Sequence, residues 1–124
     1  MQRRSLLLAT GFLAAPSLAR AQDFPARPIR VVVPYAPGGQ SDTVMRLLIP
    51  RMAEFLGQNI IVENRSGGGG TIGAGIVAAA PADGYTLFFE SFAFAVVPLI
   101  HRSLPFDYEN AFVPIGQAVA LPYV

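Results

Sequence analysis

Apolar and polar positions along this 124-residue chain fall into blocks, and the period changes from block to block. Ile29-Arg30-Val31-Val32-Val33 is a β-branched run and predicts a strand buried on both faces. Asp23 to Pro28 ahead of it is an extended lead-in, because each proline drives its predecessor out of the helical region. Pro34-Tyr35-Ala36-Pro37-Gly38-Gly39-Gln40 is turn chemistry. Val44, Met45, Leu48, Met52, Phe55 and Leu56 then recur at helical spacing and predict the core stripe of a helix ending near Leu56. Ser41 or Asp42 is its expected N-cap. Pro50 withholds a donor from the Arg46 carbonyl, which predicts a kink, and Gly57 supplies the stop.

Asn59 to Glu63 is a second strand. Ile72 to Ala80 is a short helix of small residues, able to lie close on a sheet. Pro81-Ala82-Asp83-Gly84 is a turn, and Tyr85 to Phe89 is a third strand. Phe92 to Arg102 reads as a less regular segment broken by Pro98, and Phe112 to Val124 as mostly extended. The order βαβαβ predicts an α/β fold, with a parallel sheet and helices on both faces. Ligands of such sheets sit at the carboxyl ends of the strands. Three segments meet there: Tyr35 to Asp42, Ser66 to Gly73, and Glu90 to Phe92.

The second of these segments holds four consecutive glycines, Gly67 to Gly70. Glycine backbone leaves N–H groups free to converge, and a following helix adds partial positive charge, so the natural guest is a carboxylate or phosphate. A plain flexible loop is the alternative. Position at a strand's carboxyl end, beside a second glycine turn, favours the anion site.

The first residues change the compartment. Arg3 and Arg4 precede an apolar run from Ser5 to Ala15, and Ala19-Arg20-Ala21 supplies small residues for cleavage. Residues 1–21 are therefore expected to be a signal peptide, routed by the general or the twin-arginine pathway. The apolar run is too short for a membrane span. The nine basic residues are all arginine, against eight acidic ones; with Arg3, Arg4 and Arg20 removed, the remainder carries about −2. No basic cluster marks a nucleic-acid partner. There is no cysteine, hence no disulfide and no lipid-bearing thiol.

Chemistry beyond binding has little to stand on. Gly68 to Gly73 matches the dinucleotide pattern G-x-G-x-x-G, with Glu90 about 20 residues on. Polar Glu63 to Ser66 separates that pattern from its strand, however, and a periplasm does not supply free nicotinamide dinucleotide. A lysine-bearing phosphate loop is excluded by the absence of lysine. His101 is the sole histidine, no nucleophile elbow occurs and no cluster has metal-ligand spacing. Asp42 serves as a first-turn acid or as a contact to an amine or a water; Ser41 caps or donates to a carboxylate.

Pro34-Tyr35-Ala36-Pro37-Gly38-Gly39-Gln40-Ser41-Asp42 after an apolar strand resembles the opening of the Bug family, the periplasmic solute-binding proteins of tripartite tricarboxylate transporters. Glu63-Asn64-Arg65-Ser66-Gly67-Gly68-Gly69 is similar to that family's E-N-R-x-G-x-G signature. Ile72-Gly73-Ala74, Asp83 to Leu87, Leu104 to Asp107 and Phe112 to Ile115 follow in order. The resemblance implies a type II periplasmic-binding-protein-like clamshell, with no enzymatic activity and no cofactor. It further implies a small-molecule carboxylate as ligand and a membrane permease as partner.

On that basis residues 22–124 are expected to be part of a first lobe. The ligand edge is expected at Tyr35, as an apolar wall, with Gly38, Gly39, Ser41 and Asp42. Gly70, Thr71 and Gly73 would face it, with Ser91 beside them. Gly68, Glu90, Val97 and Ala111 depart from the family's usual residues. A carboxylate at Glu90 would repel an anionic ligand unless a partner offsets it. The second lobe and the returning half of the first are absent from this sequence. A truncated remnant that binds nothing is therefore the main alternative, and a dinucleotide enzyme a remote one.

Overall fold

The computed structural model describes residues 23–120. The expected signal peptide and the last residues of the expected extended segment, 121–124, lie outside them. Three strands, β1 (Ile29–Val33), β2 (Ile60–Asn64) and β3 (Thr86–Phe88), form one parallel sheet in the order β2-β1-β3. Ile29 to Val33 pair in register with Ile60 to Asn64, and Arg30 to Val32 with Thr86 to Phe88. The βαβαβ reading is thus correct, with β1 at the centre. That position explains its composition, since Val31, Val32 and Val33 are all essentially inaccessible. Burial of each such side chain stabilises by about 1.5–3 kcal/mol.

Alternation along β1 sends Ile29, Val31 and Val33 to one face, where they meet Met45 of α1 (Gln40–Leu56) and Ile60. Ile49, Met52 and Leu56 complete the helix's side of this core. Phe55, expected in the stripe, is instead 90% exposed. At 3.6 residues per turn it lies roughly 80° round the helix from the Met45–Met52–Leu56 line, and Ile49 takes its place. The opposite face of β1 carries Val32, in register with Phe88. Phe88 meets the rings of Phe94 and Phe112 at 5.2 and 5.5 Å, and Phe106 joins Phe112 at 5.6 Å.

One boundary of α1 differs from expectation. The N-cap of α1 is Gly39, not Ser41 or Asp42. Gly39 has extended backbone and its carbonyl takes the first helical bond, from Thr43 N–H at 2.9 Å. The Asp42 side chain reaches back past it to the Gly38 N–H. At the far end Gly57 is left-handed, at φ 65°, as expected. The helix runs on through Pro50.

The second helix, α2, spans Thr71–Ala78. The third, α3 (Ala93–Ile100), was not expected, because Pro98 sits inside it. Proline removes the donor that the Phe94 carbonyl would otherwise receive. That carbonyl accepts a 2.8 Å bond from the Tyr108 hydroxyl instead. Beyond Phe112 the described residues form no strand. Among the described residues, no helix is long and apolar enough to cross a membrane.

Candidate functional site

The carboxyl edge of the sheet is organised around Asp42, which is only 2% exposed. Its Oδ2 accepts the Gly38 N–H at 2.8 Å and Arg46 Nε at 2.9 Å; its Oδ1 accepts Asn64 Nδ2 at 2.9 Å. Asn64 Nδ2 also donates to the Tyr35 carbonyl at 3.1 Å. The Arg46 side chain foremost, then the Gly38 N–H and Asn64, hold the Asp42 carboxyl well below the usual carboxylate range against the opposing effect of burial. Both carboxylate oxygens are thus engaged within the chain. Through these bonds Asp42 fixes the turn between β1 and α1.

The same geometry occupies the two glycines of that turn. Gly38 gives its N–H to Asp42, and Gly39 gives its own to the Ala36 carbonyl at 3.2 Å. Gly38 at φ 81° supplies the left-handed backbone that the turn needs. Their role here is to aim the start of α1. The N–H groups of Gln40, Ser41 and Asp42 precede the first helical bond and point out of the helix end.

The glycine run is more ordered than a free cradle. Gly67 to Gly70 all have positive φ, so no ordinary side chain fits the path without strain. Gly70 N–H closes on the Gly67 carbonyl, and Thr71 N–H and Oγ1 both close on the Gly68 carbonyl. Donors expected to be free for an anion at Gly70 and Thr71 are therefore used within a 3-10 turn, Gly68–Gly70. Gly73 is buried against the β1 turn: a Cβ there would lie 3.0 Å from the Pro34 Cβ and 3.2 Å from the Arg65 carbonyl. It permits close packing of α2, which places the 3-10 turn at the sheet edge.

Tyr35, Glu90 and Ser91 do come together. The Tyr35 hydroxyl lies 2.7 Å from Glu90 Oε1 and 3.2 Å from Ser91 Oγ. Tyr35 thus contributes a hydroxyl and not merely an apolar wall. Glu90 Oε2 is buried and makes no hydrogen bond. Burial pushes the Glu90 carboxyl up, opposed by the Tyr35 hydroxyl and the backbone of Ser91 and Phe94. Gly70 packs against Pro34 and faces the Glu90 carboxyl. A cavity of ≈ 250 Å³ opens beside this cluster, lined by Gln40 and Ser41 of α1 on one side and by Phe89, Glu90 and Ser91 on the other.

The site residues expected from the sequence therefore divide in two. Ser41 and Ser91 line the cavity, with Tyr35 bonded to the latter. Gly38, Gly39, Asp42, Gly70, Thr71 and Gly73 shape it through contacts within the chain. The roles of Asn64 and Arg46 were missed. Asn64 was detectable as a polar residue ending an apolar strand at the ligand edge.

Comparison with known proteins agrees with this architecture. Residues 44–124 match the family described as tripartite tricarboxylate transporter family receptor, TctC. The chain is 39% identical over 125 residues to a UPF0065 protein from the tcbD-tcbE intergenic region of Pseudomonas sp. strain P51, covering 98% of this chain and 37% of that protein. It is 38% identical to protein BugT of Bordetella pertussis, covering 96% of this chain and 36% of BugT. It thus spans a little over a third of the length of these curated relatives. Among solved structures, the periplasmic binding protein BugD superposes with TM-score 0.72 at 40% identity, over 75% of this chain and 31% of BugD. A Rhodopseudomonas palustris protein solved with adipate gives TM-score 0.66 at 38% identity, over 70% of this chain and 29% of its own. MatC from the same organism, with bound malate, gives 0.51 at 54% identity, over 52% and 22%. The dinucleotide-enzyme alternative falls with these matches. This chain belongs to the Bug/TctC family of periplasmic solute-binding proteins, which are not enzymes.

Proposed function

We propose that the chain contributes to the capture of a small carboxylate-bearing metabolite in the periplasm and its delivery to the membrane permease of a tripartite tricarboxylate transporter. Residues 1–21 act as the export signal in this reading. The observation that carries it is the ≈ 250 Å³ cavity between the first turn of α1 and the Glu90–Ser91 edge. Free N–H groups at a helix start favour an anion electrostatically, and the Ser41 and Ser91 hydroxyls add adjustable donors. Adipate and malate in the two R. palustris relatives support a carboxylate as the ligand class.

Calorimetric titration of the full chain with adipate, malate and propionate, beside uncharged amides of matched size, tests this reading. Binding of at least one carboxylate, weakened by Ser41→Ala and by Ser91→Ala, is expected. A full chain that takes up the amides as well as the acids would defeat it.

A further inference from the structure

Glu90 is a carboxyl group standing at the edge proposed to take a carboxylate, and among the described residues it has no ion-pair partner. Its one hydrogen-bonded oxygen joins a chain, Glu90 Oε1–Tyr35 Oη–Ser91 Oγ, with links of 2.7 and 3.2 Å. Each hydroxyl in the chain carries one proton, so the chain runs in one of two directions.

With Glu90 ionised, Tyr35 donates to Oε1 and Ser91 donates to Tyr35. The single Ser91 proton then points inward, and its lone pair faces the cavity. With Glu90 neutral, Oε1–H donates to Tyr35 and Tyr35 donates to Ser91. Ser91 Oγ, which also accepts the Ala93 N–H at 3.4 Å, then has its own proton free for the cavity. The first direction presents an acceptor and a nearby negative charge to an incoming anion. The second presents a donor and no charge.

We propose that carboxylate binding at this edge is coupled to protonation of Glu90 through the Glu90–Tyr35–Ser91 chain, so that each ligand anion enters together with one proton. The inference rests on the carboxylate site proposed above. The proton comes from solvent onto Oε1, and no other bond is made or broken. Ser91 touches the ligand; Glu90 and Tyr35 are positioning residues. The buried Oε2 without a partner fits the same picture, because a neutral carbonyl oxygen loses less there than a charged one. Burial also moves the Glu90 carboxyl toward the neutral form.

The other groups around Glu90 leave the proton to it. The turn after β1 brings Tyr35, and the 3-10 turn brings only backbone. The first turn of α1 brings Gln40 and Ser41, while its Asp42 is tied to Arg46. The segment beyond Phe112 brings Gln117. His101, at the end of α3, stands near Gly69.

The probe is propionate, titrated calorimetrically into the full chain across about pH 5 to 8, in two buffers of different ionisation enthalpy. The wild type should take up about one proton per propionate, and affinity should fall by up to about tenfold per pH unit once Glu90 is ionised in the free protein. Glu90→Gln keeps the donor to Tyr35 permanently; it should bind without the wild type's proton uptake, with affinity nearly independent of pH. Tyr35→Phe should break the coupling and leave weaker binding with a flat profile. Propionate binding by the wild type without proton uptake, or with the same uptake in Glu90→Gln, overturns the coupling and leaves the carboxylate site standing. Failure of wild type and Glu90→Gln to bind propionate, adipate or malate at any pH removes the site and the coupling together.

Discussion

Asn64 donates from one side-chain nitrogen to both the Asp42 carboxylate and the Tyr35 carbonyl, at 2.9 and 3.1 Å. One amide thereby ties the end of β2 to the turn that aims α1. The direction of the α1 end, and with it the placing of Ser41 against Ser91, depends on a residue that lines no part of the cavity. Asn64→Ala should cost about 1–3 kcal/mol in urea denaturation, since Asp42 and the Tyr35 carbonyl each lose a part-buried partner. Carboxylate affinity should fall as well. Unchanged stability in that variant would show that the turn holds without the tie.

Asp42 predicts an acid limb of stability. Its folded-state carboxyl is held below the ordinary carboxylate value, so the native state binds fewer protons than the unfolded chain. Its contribution is whole above about pH 4 and is lost as pH falls from there through the depressed folded value. Asp42→Asn should flatten this limb in denaturant titrations repeated at descending pH.

Glu90 carries the opposite sign. Its folded carboxyl is raised, so the native state binds the extra proton and stability declines as pH climbs through the raised value. Glu90→Gln should remove that decline and leave the acid limb intact. A wild-type profile with no loss of stability above about pH 4.5 would contradict it.

The glycines separate backbone strain from crowding. Gly69 has φ 63° and a Cβ there meets only His101, at an ordinary 3.7 Å. Gly69→Ala should therefore cost about 1–2 kcal/mol through the left-handed backbone alone. Gly73 has no positive φ, yet its Cβ would press on Pro34 and the Arg65 carbonyl. Gly73→Ala should cost about 1–3 kcal/mol by displacing α2 from the sheet. Thermal unfolding of both variants, with a crystal structure of the second, distinguishes the two causes.

Met45 and Phe55 test the revised helix stripe. Met45 is 2% exposed, and Met45→Ala should cost about 2–5 kcal/mol. Phe55→Ala should change stability by less than about 0.5 kcal/mol. Comparable losses in the two variants would return Phe55 to the core.

The strands and α1 were legible because β-branched runs and a 3.6 period leave marks that local residues decide. Gly57 marked the helix end for the same reason. Phe55 was misplaced because a stripe of six large residues is wider than the contact it makes, and only the sheet selects which edge is used. The Gly39 cap escaped notice because the Asp42 side chain reaches back across the turn, a contact set by three-dimensional closure. The position of Ser41 and Ser91 at the carboxyl edge of the sheet was readable from the order of elements alone. The Tyr35–Glu90–Ser91 chain was not, since it joins residues 55 and 56 positions apart.

Pro98 hid α3 from the sequence, and its effect reaches beyond that helix. By withholding one donor it leaves the Phe94 carbonyl open inside a cluster of rings, where water has poor access. Tyr108 answers it, its ring 4.9 Å from that of Phe94 and its hydroxyl on the open oxygen. A residue usually counted as a helix breaker thus works as an address: it marks a backbone oxygen on which the returning chain, from Leu104 to Phe112, docks through Tyr108.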